Sequence, residues 1–100
     1  MDQSKATRTV TVANRSGMHL RAALMVFNLM RSFPAKVEIV MDRQRARADD
    51  ILQMTTLGAG QGQELILEAA GPGAEDALDA LAQLFAAGFH EEDAGMRDKG

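Results

Sequence analysis

The alternation of apolar and polar side chains in three short segments most restricts how this chain can fold. The segments cover residues 7–13, 36–41 and 64–69. Because successive side chains of a strand point to opposite faces of a sheet, each segment predicts a strand with one buried face. Residues 45–48 are a weaker candidate, but they lie where a hairpin from the second strand would return, so we expect a fourth strand there.

Two longer segments carry apolar residues three and four positions apart, which is the spacing of a helix with one buried face. The first begins at Leu20 and is stopped by Pro34, because the residue before a proline is pushed out of the helical region. The second covers residues 74–87 and has Gly88 as its left-handed terminator. The apolar stripe of the first helix consists of Leu20, Ala23, Leu24, Val26, Phe27 and Met30, and the buried stripe expected for the second consists of Ala77, Leu78, Leu81, Leu84 and Phe85.

A third, short helix is predicted for residues 50–56, with Asp49 or Asp50 as its cap. Its apolar residues do not fall on one face, so it has apolar surface to spare. The predicted order is β-α-β-β-α-β-α, and strands with one apolar face suit an antiparallel sheet covered by helices on one side. We therefore expect a two-layer α+β fold in one domain, residues 1–90, followed by a disordered charged tail, residues 91–100.

The composition excludes several classes of function. A net charge of −3 does not suit binding to the phosphate backbone of nucleic acid, and four phenylalanines as the only aromatic residues offer no platform for stacked bases. The absence of cysteine excludes thiol catalysis and fits a reducing cytoplasm. No apolar stretch is long enough to span a bilayer and no N-terminal signal is recognisable, so we expect a cytoplasmic protein without membrane insertion.

His19 stands between the turn Ser16-Gly17 and the first predicted helix, two places before Arg21. The start of a helix has unpaired backbone N–H groups and the positive end of the helix dipole, which together stabilise an anion. A neutral imidazole is a nucleophile, and a guanidinium offers a planar set of donors to phosphoryl oxygens. These groups can support phosphoryl transfer, a reaction that depends mainly on positioning and electrostatics.

By itself this local pattern is weak, because a lone histidine in a polar turn is more often a solvated or helix-capping residue.

Three other groups of residues are candidates for a site, and none has the pattern that its chemistry needs. His90 has no second histidine or cysteine at ligand spacing, so we expect no metal site. The acidic residues at 49–50 and 91–93 suit caps and solvated runs better than acid/base pairs, and the glycine-rich turn at 58–62 lacks the lysine of a phosphate-binding loop.

Two longer motifs give the pattern its specificity. Residues 17–23, with the sequence GMHLRAA, resemble the Gly-aliphatic-His-Ala/Ser-Arg-Pro-Ala/Ser site of the histidine-containing phosphocarrier family, HPr. Residues 50–58, DILQMTTLG, are similar to that family's second signature, Ser-Ile-Met-Gly-Val-Met-Ser-Leu-Gly. Residues 62–67 and 74–81 are similar to its last strand and last helix, so the resemblance covers residues 7–90.

The resemblance implies an open-faced sandwich in which three helices cover one face of a four-stranded antiparallel sheet. It also implies that His19 accepts a phosphoryl group on Nδ1 from Enzyme I, itself charged by phosphoenolpyruvate, with Arg21 as the electrostatic partner. The group would then pass to sugar-specific Enzyme IIA domains. On this interpretation the chain is a monomeric carrier of the phosphoenolpyruvate-dependent phosphotransferase system, needs no cofactor and is not an enzyme.

Three positions depart from the family pattern. Ala22 replaces the proline that follows the arginine, and this loss is expected to loosen the first helical turn without removing a reacting group. Leu20 replaces a small residue and adds bulk beside the histidine. Asp50 stands where many Gram-positive relatives carry a regulatory serine, so we expect no regulation by a serine kinase there, and a helix cap explains Asp50 better than phosphoserine mimicry.

An apolar docking patch around His19 is a further expectation, because the short helix cannot bury all its apolar residues. The docking patch consists of Leu20, Leu24, Ile51 and Leu52. Core positions are expected instead for Phe27, Met54 and Leu57.

Two other functions fit the same residues. A regulatory module, in a nitrogen-related or other branch, would signal through the phosphorylation state of His19 without serving sugar transport. A scaffold would bind partners without chemistry, and replacing His19 would leave its function intact.

Overall fold

The structure, a computed structural model, describes residues 5–91 as a four-stranded antiparallel sheet with three helices packed against it. The strands are β1 (Lys5–Thr11), β2 (Lys36–Met41), β3 (Gln44–Arg47) and β4 (Glu64–Ala70), in the spatial order β1-β4-β2-β3. The helices are α1 (Leu20–Met30), α2 (Ile51–Leu57) and α3 (Ala74–Ala86), and a single 3₁₀ turn, Gly88–His90, follows α3. The predicted α+β sandwich and its element order are confirmed.

Strand β4 lies at the centre of the sheet, between β1 and β2. In its register, Val10 of β1 is opposite Leu65 and Ile39 of β2 is opposite Leu67. Leu65 and Leu67 are fully buried, whereas Ile66 between them is 44% exposed on the other face. The alternation seen in the sequence therefore divides this strand into a core face and an open face.

The core lies between the sheet and the helices. Helix α3 packs on β1 and β4, α1 contacts both α2 and α3, and α2 contacts β3. Met54 and Leu57 are buried as expected, and Phe27 is half-buried against the core. The largest fully buried side chains are Phe85, Phe89, Ile39, Met54, Leu65, Leu67, Leu78, Leu81, Val12 and Val26.

The buried face of α1 covers only part of its apolar stripe. Leu20 and Leu24 are 66% and 42% exposed. Both residues, which the sequence assigns to the docking patch, are therefore not part of the core. The residues of α1 that are buried are Ala22, Ala23, Val26 and Met30.

The described part of the chain ends beside the loop that precedes α1. Glu91, the first residue of the expected tail, is described and makes hydrogen bonds to Asn14 and Ser16. The other residues of the expected tail, 92–100, lie outside the described residues. No helix within residues 5–91 is long and apolar enough to cross a membrane.

Substituting adjacent residues of β4 tests the assignment of its two faces. We expect Leu67→Ala to lower the free energy of unfolding by about 2–5 kcal/mol, because it leaves a cavity in the core. Ile66→Ala, on the open face, is the matched control and is expected to cost about 1 kcal/mol or less. Urea unfolding measures both changes, and equal losses would contradict the assignment.

Candidate functional site

His19 is the N-cap residue of α1. Its backbone is extended, with φ −83° and ψ −178°, and its carbonyl accepts the first helical hydrogen bond from the N–H of Ala23 at 2.9 Å. Its side chain is half-buried, and Nδ1 accepts a hydrogen bond from the backbone N–H of Ala22 at 3.2 Å. In a neutral ring the proton is therefore on Nε2, and the Nδ1 lone pair points into the opening of the helix.

Gly17 fixes the loop that precedes the histidine. Its φ is +68°, and a Cβ on this residue would lie 2.4 Å from the carbonyl oxygen of Ala59. The same carbonyl accepts a hydrogen bond from the N–H of Met18 at 2.9 Å, and the Met18 side chain is buried. Only glycine combines this backbone conformation with so close an approach, so the loop is held against the connection between α2 and β4.

A second set of hydrogen bonds holds the loop from the other side. Asn14, 5% exposed, donates from Nδ2 to the carbonyl of Gly17 at 2.8 Å and to Oε1 of Glu91 at 2.9 Å. The hydroxyl of Ser16 donates to Oε2 of Glu91 at 2.7 Å. The bonds from Ser16 and Asn14 lower the pKa of the Glu91 carboxyl below its usual range, and the nearby His19 adds to this effect. Glu91 is therefore held as a carboxylate on the loop that carries His19.

The turn after α3 brings Glu91 to this loop. Gly88, Phe89 and His90 all have positive φ, a conformation that costs a residue with a side chain about 1–2 kcal/mol. Phe89 is fully buried, and its ring lies edge-on to Phe85 with centroids 4.9 Å apart. Burial of an aromatic ring offsets the backbone cost, so the chain reverses here and Glu91 reaches the loop.

Arg21 occupies the first turn of α1 and is exposed. Its Nη1 lies 3.9 Å from Sδ of Met25, one turn further along the helix. The guanidinium therefore lies along the surface of α1, held by a weak hydrogen bond to the sulfur of Met25.

The apolar residues predicted for the docking patch lie on α1 and α2, two helices that contact each other. Leu20, Leu24 and Leu52 are 66%, 42% and 73% exposed. Ile51 is half-buried and packs against the core. Three of the four predicted residues thus present large apolar side chains to solvent.

Asp50 caps α2. Its Oδ1 accepts a hydrogen bond from the backbone N–H of Gln53 at 3.0 Å, and its Oδ2 accepts one from the side chain of Gln53 at 3.1 Å. Of the two candidate caps in the sequence, Asp50 is the one used. Asp49 instead accepts two hydrogen bonds from the guanidinium of Arg47, which lowers the pKa of its carboxyl.

The histidine at the other end of the chain has no such surroundings. His90 is exposed in the turn after α3. Within residues 5–91, no group of three or more His, Cys, Asp or Glu side chains is arranged to hold a metal ion.

Sequence reasoning missed the part that Asn14, Ser16 and Glu91 play in holding the loop. The turn-forming residue types at Asn14 and Ser16 predict only a break after the first strand, and the acidic side chain of Glu91 predicts the start of a solvated run. The one available signal was Gly88, because a left-handed residue after a helix reverses the chain. Where the chain goes after that reversal depends on the burial of Phe89, which a local pattern does not reveal.

Comparisons with known proteins agree with these features. The family model described as "PTS HPr component phosphorylation site" matches residues 6–87. The phosphocarrier protein NPr of Escherichia coli K12 is 37% identical over 86 residues, or 85% of this chain and 96% of the relative. The phosphocarrier protein HPr of Treponema pallidum is 38% identical over 85 residues, or 85% of this chain and 97% of the relative.

Solved structures show the same fold. A crystal structure of HPr-C-His from Thermoanaerobacter tengcongensis superposes with a TM-score of 0.82 and 28% sequence identity, covering 88% of this chain and 99% of that one. A phosphocarrier protein HPr from Bacillus anthracis gives a TM-score of 0.78 at 27% identity, covering 82% and 98% of the two chains.

The pH dependence of stability tests the attachment of Glu91. Because the folded-state pKa of its carboxyl is lowered, the stabilisation is fully present above the usual value of 4.5 and is lost as the pH falls through the folded-state pKa. We expect Glu91→Gln to have a lower free energy of unfolding than the wild type at pH 7, and the difference between the two proteins to decrease below pH 4.5.

Urea unfolding of both proteins across this range measures the difference. As a control, Ser16→Ala is added to Glu91→Gln. Because the hydrogen bond between the two side chains is already weakened, the second substitution should lower the free energy of unfolding little further. A difference that stays constant with pH would show that Glu91 does not depend on its charge to hold the loop.

Proposed function

Because this chain belongs to the HPr family of phosphotransferase-system phosphocarriers, which are not enzymes, we propose that its His19 accepts a phosphoryl group on Nδ1 from Enzyme I and passes it to an Enzyme IIA domain in the cytoplasm. The observation that carries this proposal is the direction of the Nδ1 lone pair, which points into the N-terminal opening of α1. A phosphoryl group bonded to this atom would lie beside the unpaired N–H groups of the first helical turn, where negative charge is stabilised.

Phosphoryl transfer requires few further groups on the carrier. The lone pair of Nδ1 forms a bond to phosphorus while the bond from phosphorus to the donor breaks, and that electron pair returns to the donor. With the proton still on Nε2, the ring carries one positive charge while phosphorus is bonded to Nδ1, and it becomes neutral again when the phosphoryl group leaves. The ring is half-buried, so it is oriented by its surroundings and still reachable by a partner protein. Transfer then depends on positioning and charge, which the loop and the helix supply.

Arg21 is proposed as the counter-charge to the phosphoryl group. Its guanidinium is exposed and its hydrogen bond to the sulfur of Met25 is weak. It can therefore leave the sulfur and bind phosphoryl oxygens with little loss of free energy. A bidentate contact to phosphate is among the strongest hydrogen-bonded pairs in proteins.

The docking patch is proposed as the surface that both partners contact. Its leucines at positions 20, 24 and 52 are more exposed than large apolar residues usually are. The first two lie on α1, the helix that His19 caps, and the third lies on α2, which contacts α1. The centres of protein–protein interfaces are apolar with a polar rim, which suits a surface used in turn by a donor and an acceptor.

The sugar branch is the first candidate for the acceptor, and a nitrogen-related branch is the second. Relatives named NPr favour the second candidate, because several of them match at 36–37% identity. A relative named HPr matches at 38%, so the names leave both branches as candidates. Asp50 cannot accept a phosphoryl group from a serine kinase, so we propose that neither branch is regulated through this position.

Phosphorylation by purified Enzyme I and phosphoenolpyruvate tests the carrier assignment. We expect the intact mass to increase by one phosphoryl group, and His19→Ala to abolish the increase because it removes the accepting nitrogen. His90→Ala is the matched control, since it removes the other histidine and is expected to be labelled as the wild type is.

Addition of an Enzyme IIA domain then separates carriage from signalling. The carrier function predicts that the phosphoryl group appears on Enzyme IIA. Label that stays on this protein with acceptors of both branches favours the regulatory module, and a wild-type protein that is never labelled contradicts both.

Kinetics of phosphorylation test the docking patch. Leu52→Ala is expected to raise the KM for this protein as substrate of Enzyme I about tenfold with little change in kcat, because burial of a leucine contributes roughly 1.5–3 kcal/mol. Ile66→Ala removes an exposed apolar side chain from the open face of the sheet and serves as the control. The same increase in KM for both variants would contradict the location of the patch.

A further inference from the structure

The contact between Ala22 and His19 depends on a backbone N–H group at position 22. Ala22 N–H donates to Nδ1 of His19 at 3.2 Å, and Ala22 is the third residue of α1. The HPr motif that this segment resembles has proline at this position, and proline has no N–H to donate. This chain therefore has a hydrogen-bond donor, directed at the proposed phosphorylation site, that the motif lacks.

The donor is held in a fixed position. The side chain of Ala22 is fully buried, as is that of Ala23, and the first turn is closed by the bond from Ala23 N–H to the carbonyl of His19. The first turn of α1 is thus regularly formed without the proline. What the substitution changes is the set of donors around the imidazole.

We infer that the backbone N–H of Ala22 acts as a positioning group for Nδ1 in the unmodified protein and as a hydrogen-bond donor to the phosphoryl group after transfer. This inference rests on the proposed function of His19. When Nδ1 bonds to phosphorus, its lone pair is used and the Ala22 N–H loses its acceptor. The phosphoryl oxygens, bonded to phosphorus on that same nitrogen, then become the acceptors nearest to the Ala22 N–H.

This exchange favours the phosphorylated state. A hydrogen bond to a charged acceptor is roughly twice as strong as one between neutral groups. The N–H of Ala22 therefore gains from phosphorylation, whereas a proline at this position would neither bind Nδ1 beforehand nor the phosphoryl group afterwards. The alanine thus makes His19 a more stable phosphoryl holder than the same site with proline.

Ala22→Pro tests this inference by restoring the residue of the family motif. The protein is equilibrated with catalytic Enzyme I, phosphoenolpyruvate and pyruvate, and the phosphorylated fraction is measured by mass spectrometry. We expect the equilibrium constant for phosphorylation to fall about three- to tenfold in Ala22→Pro. Asp76→Pro removes an N–H at the same position of α3, a helix without a side-chain cap, and should leave the constant unchanged. Equal constants for Ala22→Pro and the wild type would overturn the inference.

Nuclear magnetic resonance of the wild type gives a second test that needs neither Enzyme I nor a variant. We expect a coupling through the hydrogen bond between the backbone nitrogen of Ala22 and Nδ1 of His19 in the unmodified protein. After phosphorylation with phosphoramidate, the coupling should vanish and the Ala22 amide proton should shift downfield. A missing coupling overturns the inference by itself. Failure of Enzyme I to phosphorylate the wild type overturns the proposed function and leaves this contact to be judged by the coupling.

Discussion

The hydrogen bond from the backbone N–H of Ala22 to Nδ1 of His19 sets the orientation of the ring on which the proposed phosphoryl transfer depends. It exists only if the ring lies over the opening of α1, and the ring lies there only if the preceding loop is held in one conformation. Contacts from two sides hold it: the carbonyl of Ala59 against Gly17, and the carboxylate of Glu91 against Ser16. Neither contact touches Nδ1, the nitrogen proposed to accept the phosphoryl group, but both hold the loop that orients it.

Each of these supports has a cost that the fold offsets elsewhere. Gly17 accepts a left-handed conformation so that the loop can approach the α2–β4 connection. Phe89 and His90 accept the same conformation, which is unfavourable for residues with side chains, and the burial of Phe89 against Phe85 offsets it. The burial of Phe89 in the core therefore stabilises the turn that brings Glu91 to the loop before α1.

The strands and their faces were predictable because alternation is a local property of the sequence. The central strand, with Leu65 and Leu67 buried and Ile66 exposed, is the clearest case. Even β3, weak by itself, followed from the hairpin geometry of its neighbour. Spacing alone does not fix the buried face of α1, since its apolar stripe includes both the buried Ala23 and the exposed Leu20 and Leu24.

The candidate site likewise has a part that a local motif predicts and a part that depends on the fold. His19 and Arg21 could be proposed as site residues because a motif places them two positions apart at a helix start. The attachment of Glu91 could not, because it joins residues 75 positions apart through a turn whose path depends on a buried ring. The replacement of proline by Ala22 is visible in the sequence, where it predicts the loss of a rigid ring. That it also adds a backbone N–H donor directed at Nδ1 of His19 is visible only in the structure.

The most direct test of the account is to locate the phosphoryl group on the imidazole. In protein labelled with ¹⁵N histidine and phosphorylated by Enzyme I, a coupling between ³¹P and Nδ1 of His19 is the predicted result. A coupling to Nε2 of His19, or to either nitrogen of His90, would contradict the claim that the helix opening directs the reacting nitrogen.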